Sequence, residues 1–279
     1  MSQKLEIYQS LWAMELRQPG RQEPSMEESF RMVAEAGYHG LCIDPAVHEI
    51  DDFLRLKPLY RDYGLKCMVN AFPAHVEEMP RLLDLANELG ASLVNAIGQV
   101  MPLTVEEGVP VIRQWMRDAK QAGLPLLFET HRDCTLNDLY YALQLIEAVP
   151  EMRLCADLSH YVIDREMRIP LNDTDRDYMC RILERSDCFQ GRVANREQIQ
   201  VQIDFPQHRE WVEQFKAWWK DGIGMWRARN ADDATLIFLC ELGPPPYAMT
   251  DARQDELSDR WHEALVIRGW VEEIWAGLP

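Results

Sequence analysis

Polar side chains suited to catalysis follow several apolar runs in the second half of the sequence. The stretch 124–133 (LPLLFETHRD) is apolar as far as Phe128 and becomes polar at Glu129. An apolar run of this kind is typical of a buried strand that ends at one edge of a sheet. Three later runs end similarly: RLCADLSH in Asp157 and His160, CFQGRVANR with Gln190 and Arg196, and TLIFLCELGPPP in Glu241. We predict that these four strand ends converge on one site.

The carboxylates of Glu129, Asp157 and Glu241 indicate a metal site. A carboxylate at the edge of a buried strand is unfavourable unless it is paired or bound to a cation. An arginine could pair with each one separately, but a single divalent ion would relieve the repulsion among all three. Oxygen ligands suit Mn²⁺ or Mg²⁺, and an added imidazole would shift the preference toward Co²⁺ or Zn²⁺. We therefore predict one divalent metal ion at this site.

Two histidines and two arginines lie close to these strand ends. His160 could contact a substrate or be a hydrogen-bonded loop residue. His131 follows Glu129 by two residues, so on a continuing strand it would point the same way and support the site. Otherwise His131 would lie at the solvent edge. Arg192 and Arg196 could be solvated surface residues, or could bind a hydroxyl, carboxylate or phosphate group of the substrate.

Aromatic and amide side chains are predicted near the ends of the first, third and fourth strands. Trp12 and Phe72 could form walls, although core packing is favoured for Phe72, and Asn70 and Asn95 supply amides. Aromatic walls with a few amides suit a polyol. We expect a small sugar-like substrate, with Trp12 among the residues that bind it.

The elements that must position these side chains alternate between strand and helix. The predicted strands are 5–12, 39–44, 65–72, 92–97, the run that ends at Glu129, 153–157, 187–194 and 235–241. The predicted helices are 26–36, 50–63, 76–89, 104–122, 136–149, 173–185, 207–221 and 256–276. Ser25, Thr104 and Thr135 are the predicted N-caps of three of them. A loop containing Pro19 and Gly20 is expected after the first strand.

This order predicts the fold. Eight strand–helix units favour a single-domain (β/α)8 TIM barrel of parallel strands that spans residues 1–279. A doubly wound open sheet is the alternative, but no GxGxxG follows the first strand and no GxxxxGK[ST] occurs. In a barrel the active site lies at the C-terminal ends of the strands, where the polar residues above are expected.

Composition excludes several classes of partner. The 279 residues include 29 basic and 46 acidic side chains, a formal net charge of −17. Such a surface repels nucleic acid and anionic membranes.

The seven cysteines form no CxxC pair, which favours reduced thiols in a reducing compartment. With no apolar signal core and no run near the ~20 residues of a membrane span, we expect a cytoplasmic protein.

Tryptophan-rich helices leave the oligomeric state open. The predicted helix 207–221 contains Trp211, Trp218 and Trp219, and the last helix contains Trp261, Trp270 and Trp275. Each helix could pack on the barrel or form the interface of a homo-oligomer.

In these residues and this unit order, the chain resembles the xylose-isomerase-like barrels, a superfamily of sugar isomerases, sugar epimerases and endonuclease-four-type enzymes. Its ketose 3-epimerases and hydroxypyruvate isomerases hold one divalent metal through Glu, Asp, His and Glu. The resemblance implies that Glu129, Asp157 and Glu241 are ligands, and it places Gln190 at the histidine position. A glutamine oxygen binds a hard cation more weakly than an imidazole binds zinc. His160, in a D-x-x-H pattern, and Arg196, six residues after Gln190, resemble substrate-contacting residues.

The resemblance implies an isomerase or epimerase that moves a proton through a metal-stabilised enediolate on a sugar, sugar phosphate or related hydroxycarbonyl. Glu129 and Glu241 would exchange the proton with carbon from opposite sides. A lyase or dehydratase with the same chemistry stays open, as does a non-catalytic ligand-binding barrel, which the departure at Gln190 suggests. The nuclease branch is disfavoured by the net charge of −17 and by the missing multi-histidine zinc set.

Overall fold

A closed barrel of eight parallel strands forms the centre of the computed structural model, which describes residues 3–16 and 23–279. The strands are β1 (Lys4–Ser10), β2 (Gly40–Ile43), β3 (Lys66–Ala71), β4 (Ala91–Ala96), β5 (Leu126–Glu129), β6 (Leu154–Ala156), β7 (Ser186–Gly191) and β8 (Thr235–Cys240). Each strand pairs with the next along the chain, and β1 pairs with β8 from Lys4–Thr235 to Gln9–Cys240. The predicted (β/α)8 fold is confirmed. The predicted loop at Pro19 and Gly20 lies outside the described residues.

Helices surround the barrel and connect consecutive strands. They are α1 (Met26–Glu35), α2 (Ile50–Leu54), α3 (Lys57–Tyr63), α4 (Met79–Leu89), α5 (Val105–Ala122), α6 (Leu139–Ala148), α7 (Leu158–Asp164), α8 (Asp173–Arg185), α9 (Arg209–Arg229) and α10 (Arg260–Gly277). The single helix predicted over 50–63 is in fact two, because the chain breaks between α2 and α3. None of the helices in the described part combines the length and hydrophobicity that a membrane span requires.

Two of the three predicted side-chain caps are present in the structure. Ser25 and Glu28 form the predicted capping box, and the Thr104 hydroxyl accepts from the backbone N–H of Glu107. The predicted cap at Thr135 is wrong, because α6 begins later, at Leu139. Its N-cap is Asp138, whose carboxylate accepts from the backbone N–H of Tyr141. The Thr135 hydroxyl instead donates to the carbonyl oxygen of Val100 at 2.7 Å.

The strand β6 is shorter than predicted, and a helix follows it directly. Asp157 is the N-cap of α7, where its side chain accepts from the backbone N–H of Ser159. His160 therefore lies in the first turn of a helix and not in a loop. The helix α7 has only seven residues, and the first five, 158–162, are all buried. It therefore shows too little periodicity to be recognised in the sequence.

Apolar side chains close the barrel interior below the strand ends. Every strand contributes to this cluster, whose members are Tyr8, Cys42, Met68, Leu93, Leu127, Cys155, Cys188, Ile237 and Leu239. A second, larger cluster lies between the strands and the helices. All seven cysteines are free, and six of them are buried. The two packed layers fix the strands, and the strands fix the direction of the polar side chains at their C-terminal ends.

Candidate functional site

Three carboxylates meet at the C-terminal end of the barrel. Glu129 is the last residue of β5, and Asp157 and Glu241 directly follow β6 and β8. All three are buried, and one carboxylate oxygen from each lies within 4.8 Å of the others. We call these residues the carboxylate cluster. The structure thus brings together the three acids that the sequence singled out.

Buried amides orient two of these carboxylates. The Asn95 amide donates to Glu129 Oε2 at 2.5 Å and to Asn70 Oδ1 at 2.9 Å. The Asn70 amide in turn donates to Asp44 Oδ1 at 2.8 Å and lies 3.4 Å from Glu241 Oε1. A continuous hydrogen-bonded network therefore connects Glu129 to Glu241. Asp44 was missed from the sequence, although it too directly follows an apolar strand, β2.

Arg192 lies inside the carboxylate cluster. Its Nη2 donates to Glu241 Oε2 at 2.7 Å, and its Nε lies 3.2 Å from Asp157 Oδ2. The side chain is only 2% exposed, so the interpretation of Arg192 as a solvated surface arginine is wrong. The guanidinium carbon also lies 4.8 Å from the ring centre of Tyr247 and 5.8 Å from that of Trp12. Ion pairs on one side and aromatic faces on the other hold this cation.

The three carboxylates differ in their affinity for a proton. Burial, and then repulsion from Glu241, raise the pKa of Glu129 well above its usual value. Burial raises the pKa of Glu241 to about 8, although Arg192 partly offsets this effect. Burial would also raise the pKa of Asp157, but Arg192 and His160 more than compensate and lower it. In this arrangement Asp157 stays ionised, while Glu129 and Glu241 bind a proton more readily than free glutamates do.

His160 and His131 lie beside the cluster with their rings tilted by 40° and their ring centres 3.9 Å apart. The His160 ring is fully buried, and its Nε2 lies 3.4 Å from Asp157 Oδ2. Burial lowers the pKa of both histidines, that of His131 to about 3, so both rings are neutral. His131 is not on a continuing strand, because β5 ends at Glu129. The two histidines and Glu129 form a second group that could hold a metal ion.

A cavity of about 450 Å³ opens onto the cluster. Trp12, Phe72 and Tyr247 form aromatic walls, and Glu129, Glu241, His131 and Arg192 supply polar groups to its lining. Trp12 packs edge-on against Tyr247, with ring centres 5.1 Å apart. A mainly apolar cavity of this size with a few convergent polar groups is typical of a small-molecule site.

Arg196 lies apart from this cavity in the described structure. Its guanidinium pairs with Glu166 at 2.7 Å and with Glu197 at 3.1 Å, and one third of the side chain is exposed. His160 does not line the cavity either, because Asp157 and His131 surround it. Substrate contact by Arg196 and by His160 stays a prediction.

The donor set of the cluster fits a hard divalent ion. Gln190 donates through Nε2 to Glu129 Oε2 at 2.7 Å, while its Oε1 is buried. That oxygen, Glu129 Oε1 and Asp157 Oδ2 accept no hydrogen bond from the described residues. Buried oxygens without donors are costly, and a cation would satisfy several of them at once. Carboxylate and amide oxygens are ligands that suit Mg²⁺ or Mn²⁺. Ligation by Gln190 stays a prediction.

The sequence belongs to the family described as xylose isomerase-like TIM barrel. The family profile matches residues 30–187, more than half of the 279 residues. This range includes Glu129 and Asp157 but ends before Gln190 and Glu241. A search of curated proteins gives no significant match.

Solved structures with the same fold include several sugar epimerases. L-ribulose 3-epimerase superimposes with a TM-score of 0.62 at 15% identity, over 99% of this chain and 96% of that chain. D-psicose 3-epimerase, solved in the presence of D-fructose, gives 0.59 at 15% identity over 98% and 100%. A xylose isomerase-like barrel protein from Mycobacterium smegmatis in complex with magnesium gives 0.56 at 16% identity over 95% and 97%. At this identity the likeness establishes the fold alone.

Proposed function

We propose that the protein is an isomerase or epimerase that moves a proton on a carbon next to the carbonyl group of a small sugar-like molecule, with the help of a divalent metal ion. The observation that carries the proposal is the convergence of Glu129, Asp157 and Glu241 on one end of a cavity large enough for a monosaccharide. The family and the epimerases that share the fold support it.

The carboxylate cluster would hold the metal ion, with the Gln190 oxygen as a further ligand. When bound, the ion supplies positive charge that stabilises the negative charge developing on the substrate's oxygens. The oxygen-rich donor set favours Mg²⁺ or Mn²⁺, with Co²⁺ or Zn²⁺ as less suited alternatives. Magnesium is present in one of the structures that share the fold.

Glu129 and Glu241 would transfer the proton. They extend from β5 and β8, which are separated by two strands, so they reach the cavity from different sides. Both carboxylates line the cavity, where one could accept a proton from a substrate carbon and the other could return it. Transfer on both faces of one carbon gives epimerisation, and transfer between adjacent carbons gives isomerisation.

The other lining residues would orient the substrate and exclude water. Trp12, Phe72 and Tyr247 offer aromatic faces to the carbon–hydrogen faces of a sugar. Asp44 and His131 lie in the same lining and could bind hydroxyl groups. The Asn70–Asn95 network connects the two glutamates through hydrogen bonds and would orient their carboxylates.

Exchange of the substrate's proton with solvent deuterium tests this function. A panel of ketoses, aldoses and sugar acids would be incubated with the protein and Mn²⁺ in D₂O and followed by NMR. We expect exchange at the carbon next to the carbonyl, loss of exchange when the ion is removed, and a ~10²–10⁴-fold slower rate in Glu129→Gln and Glu241→Gln. The exposed Glu210→Gln is the control and should exchange at the wild-type rate.

Three results would contradict the proposal. A new carbonyl product without an isomer would indicate a lyase or dehydratase. Sugar binding without exchange would indicate a binding protein. No exchange and no binding across the panel would exclude sugar-like substrates altogether.

A further inference from the structure

Both oxygens of Asp157 lie close to donor groups of the protein. Asp157 Oδ1 accepts from the backbone N–H of Ser159 at 3.0 Å and from the Ser159 hydroxyl at 2.5 Å. Asp157 Oδ2 lies 3.2 Å from Arg192 Nε and 3.4 Å from His160 Nε2. A metal ion that uses Asp157 as a ligand must therefore take the oxygen that faces Arg192.

Glu241 is engaged in the same way. Its Oε2 accepts from Arg192 Nη2 at 2.7 Å, and its Oε1 lies 3.4 Å from the Asn70 amide. One buried guanidinium thus bridges two of the three acids of the carboxylate cluster. A side-chain cation therefore already neutralises two of the acids that would bind a metal ion.

We propose that Arg192 is a built-in cation of the carboxylate cluster, and that a divalent ion binds there only when the guanidinium leaves Asp157 and Glu241. Arg192 then sets the metal affinity of the site. The inference rests on the proposed metal site, but it does not depend on which reaction the protein catalyses.

Repulsion between two positive charges explains why the guanidinium must leave when a metal ion binds. A guanidinium and a divalent ion that share Asp157 Oδ2 would lie a few ångströms apart in a buried site, where their repulsion is only weakly screened. Removing the guanidinium without a replacement would leave two buried carboxylates uncompensated. One cation therefore has to replace the other.

Hydrogen bonds hold Arg192 through only one of its three side-chain nitrogens. Its Nη1 makes no hydrogen bond with the described residues, and its Nε is at ion-pair distance from Asp157 without hydrogen-bond alignment. The side chain lines the cavity, where Trp12 and Tyr247 already offer aromatic faces to it. A guanidinium displaced from the acids could stay against these faces.

Metal binding in Arg192 variants tests the proposal. Wild type, Arg192→Met and Arg192→Lys would be stripped with a chelator and titrated with Mn²⁺ by calorimetry, and thermal unfolding would be recorded with and without the ion. We expect Arg192→Met to bind Mn²⁺ at least tenfold more tightly and to gain more thermal stability from it. Arg192→Lys keeps a positive charge, so its Mn²⁺ affinity should increase less. Arg181→Gln removes an arginine that pairs with Glu147 outside the cluster and should match wild type in Mn²⁺ affinity.

Added guanidinium provides a second readout. Millimolar guanidinium chloride should weaken Mn²⁺ binding by Arg192→Met, because the free guanidinium ion can occupy the position of the missing side-chain group. The Mn²⁺ affinity of wild type should not change. A purely structural role for Arg192 predicts no such difference.

Equal or weaker Mn²⁺ binding by Arg192→Met would overturn the proposal, and so would the absence of Mn²⁺ binding in every variant. The deuterium-exchange assay on wild type decides the proposed function separately. If Arg192→Met does not fold, Arg192→Gln, which also removes the charge, takes its place, and an Mn²⁺ affinity equal to that of wild type would overturn the proposal.

Discussion

Asp187 forms ion pairs with two arginines at the end of the barrel opposite the carboxylate cluster. Its carboxylate accepts from Arg153 Nε at 2.7 Å and from Arg229 Nη2 at 2.7 Å. Burial would raise the pKa of Asp187, but the two arginines more than offset it and lower the pKa. We expect Asp187→Asn to reduce the free energy of unfolding at pH 7 by about 1–3 kcal/mol, because charged hydrogen bonds are lost.

Urea unfolding at a series of pH values checks this expectation. A lowered folded-state pKa gives stability that is present above the unfolded pKa of about 4 and is lost as pH falls through the folded value. The difference between wild type and Asp187→Asn should therefore be constant from pH 7 to about 5 and shrink below about 4. The exposed Asp232→Asn should match wild type throughout. A difference that persists unchanged at pH 3 would show that the ionised carboxylate is not its source.

Some residues of the candidate site could be predicted from the sequence, and others could not. Glu129 and Glu241 could be found because an acid directly after an apolar run is unusual, and the fold brings such ends together. Arg192 could not be distinguished from a surface arginine, because its direction depends on Asp157 and Glu241, which other strands supply. Asp44 had the same local signal as the glutamates, but its role depends on contact with Asn70 from another strand.

Close packing of α5 against α6 depends on a glycine. Gly108 lies buried on α5, and a Cβ atom there would overlap the hydroxyl oxygen of Tyr141 on α6. That hydroxyl donates to the carbonyl oxygen of Thr104 at 3.2 Å. Glycine to alanine usually stabilises a helix interior by roughly 0.5–1 kcal/mol. Here we expect Gly108→Ala to lower the free energy of unfolding, because the overlap outweighs the gain in helix propensity.

Chemical denaturation of matched variants measures the overlap. Gly269→Ala on α10 is the control: a Cβ there meets no atom within 4 Å, so this variant should be more stable than wild type. In the background of Tyr141→Phe the oxygen is gone, and Gly108→Ala should become neutral or stabilising. Equal effects of Gly108→Ala with and without Tyr141 would mean that the overlap is not the cause.

Helix boundaries follow the sequence where a cap is local and depart from it where packing decides. The Ser25 box and the Thr104 cap require only neighbouring residues, so they could be predicted. The predicted end of α9 at 221 is eight residues short of Arg229, because glycines at 222 and 224 resemble a helix end. In the structure Gly222 lies so close to the Phe189 ring on β7 that a side chain would not fit. The glycine there serves helix–strand packing and does not end the helix.

For the whole molecule, the balance of 29 basic and 46 acidic residues should make stability depend on salt. A net charge of −17 repels itself, and most ion pairs of the described surface are exposed, where each contributes only about 0–1 kcal/mol. Salt shortens the screening length from about 30 Å at 0.01 M to about 8 Å at 0.15 M, which weakens long-range repulsion more than short ion pairs. We therefore expect the melting temperature of the chelator-treated protein to rise by about 2–4 °C over this range, since about 1 kcal/mol produces such a shift in a chain of this size. Sodium and potassium chloride should act equally at equal ionic strength, and a melting temperature that falls with salt would mean that ion pairs outweigh the repulsion.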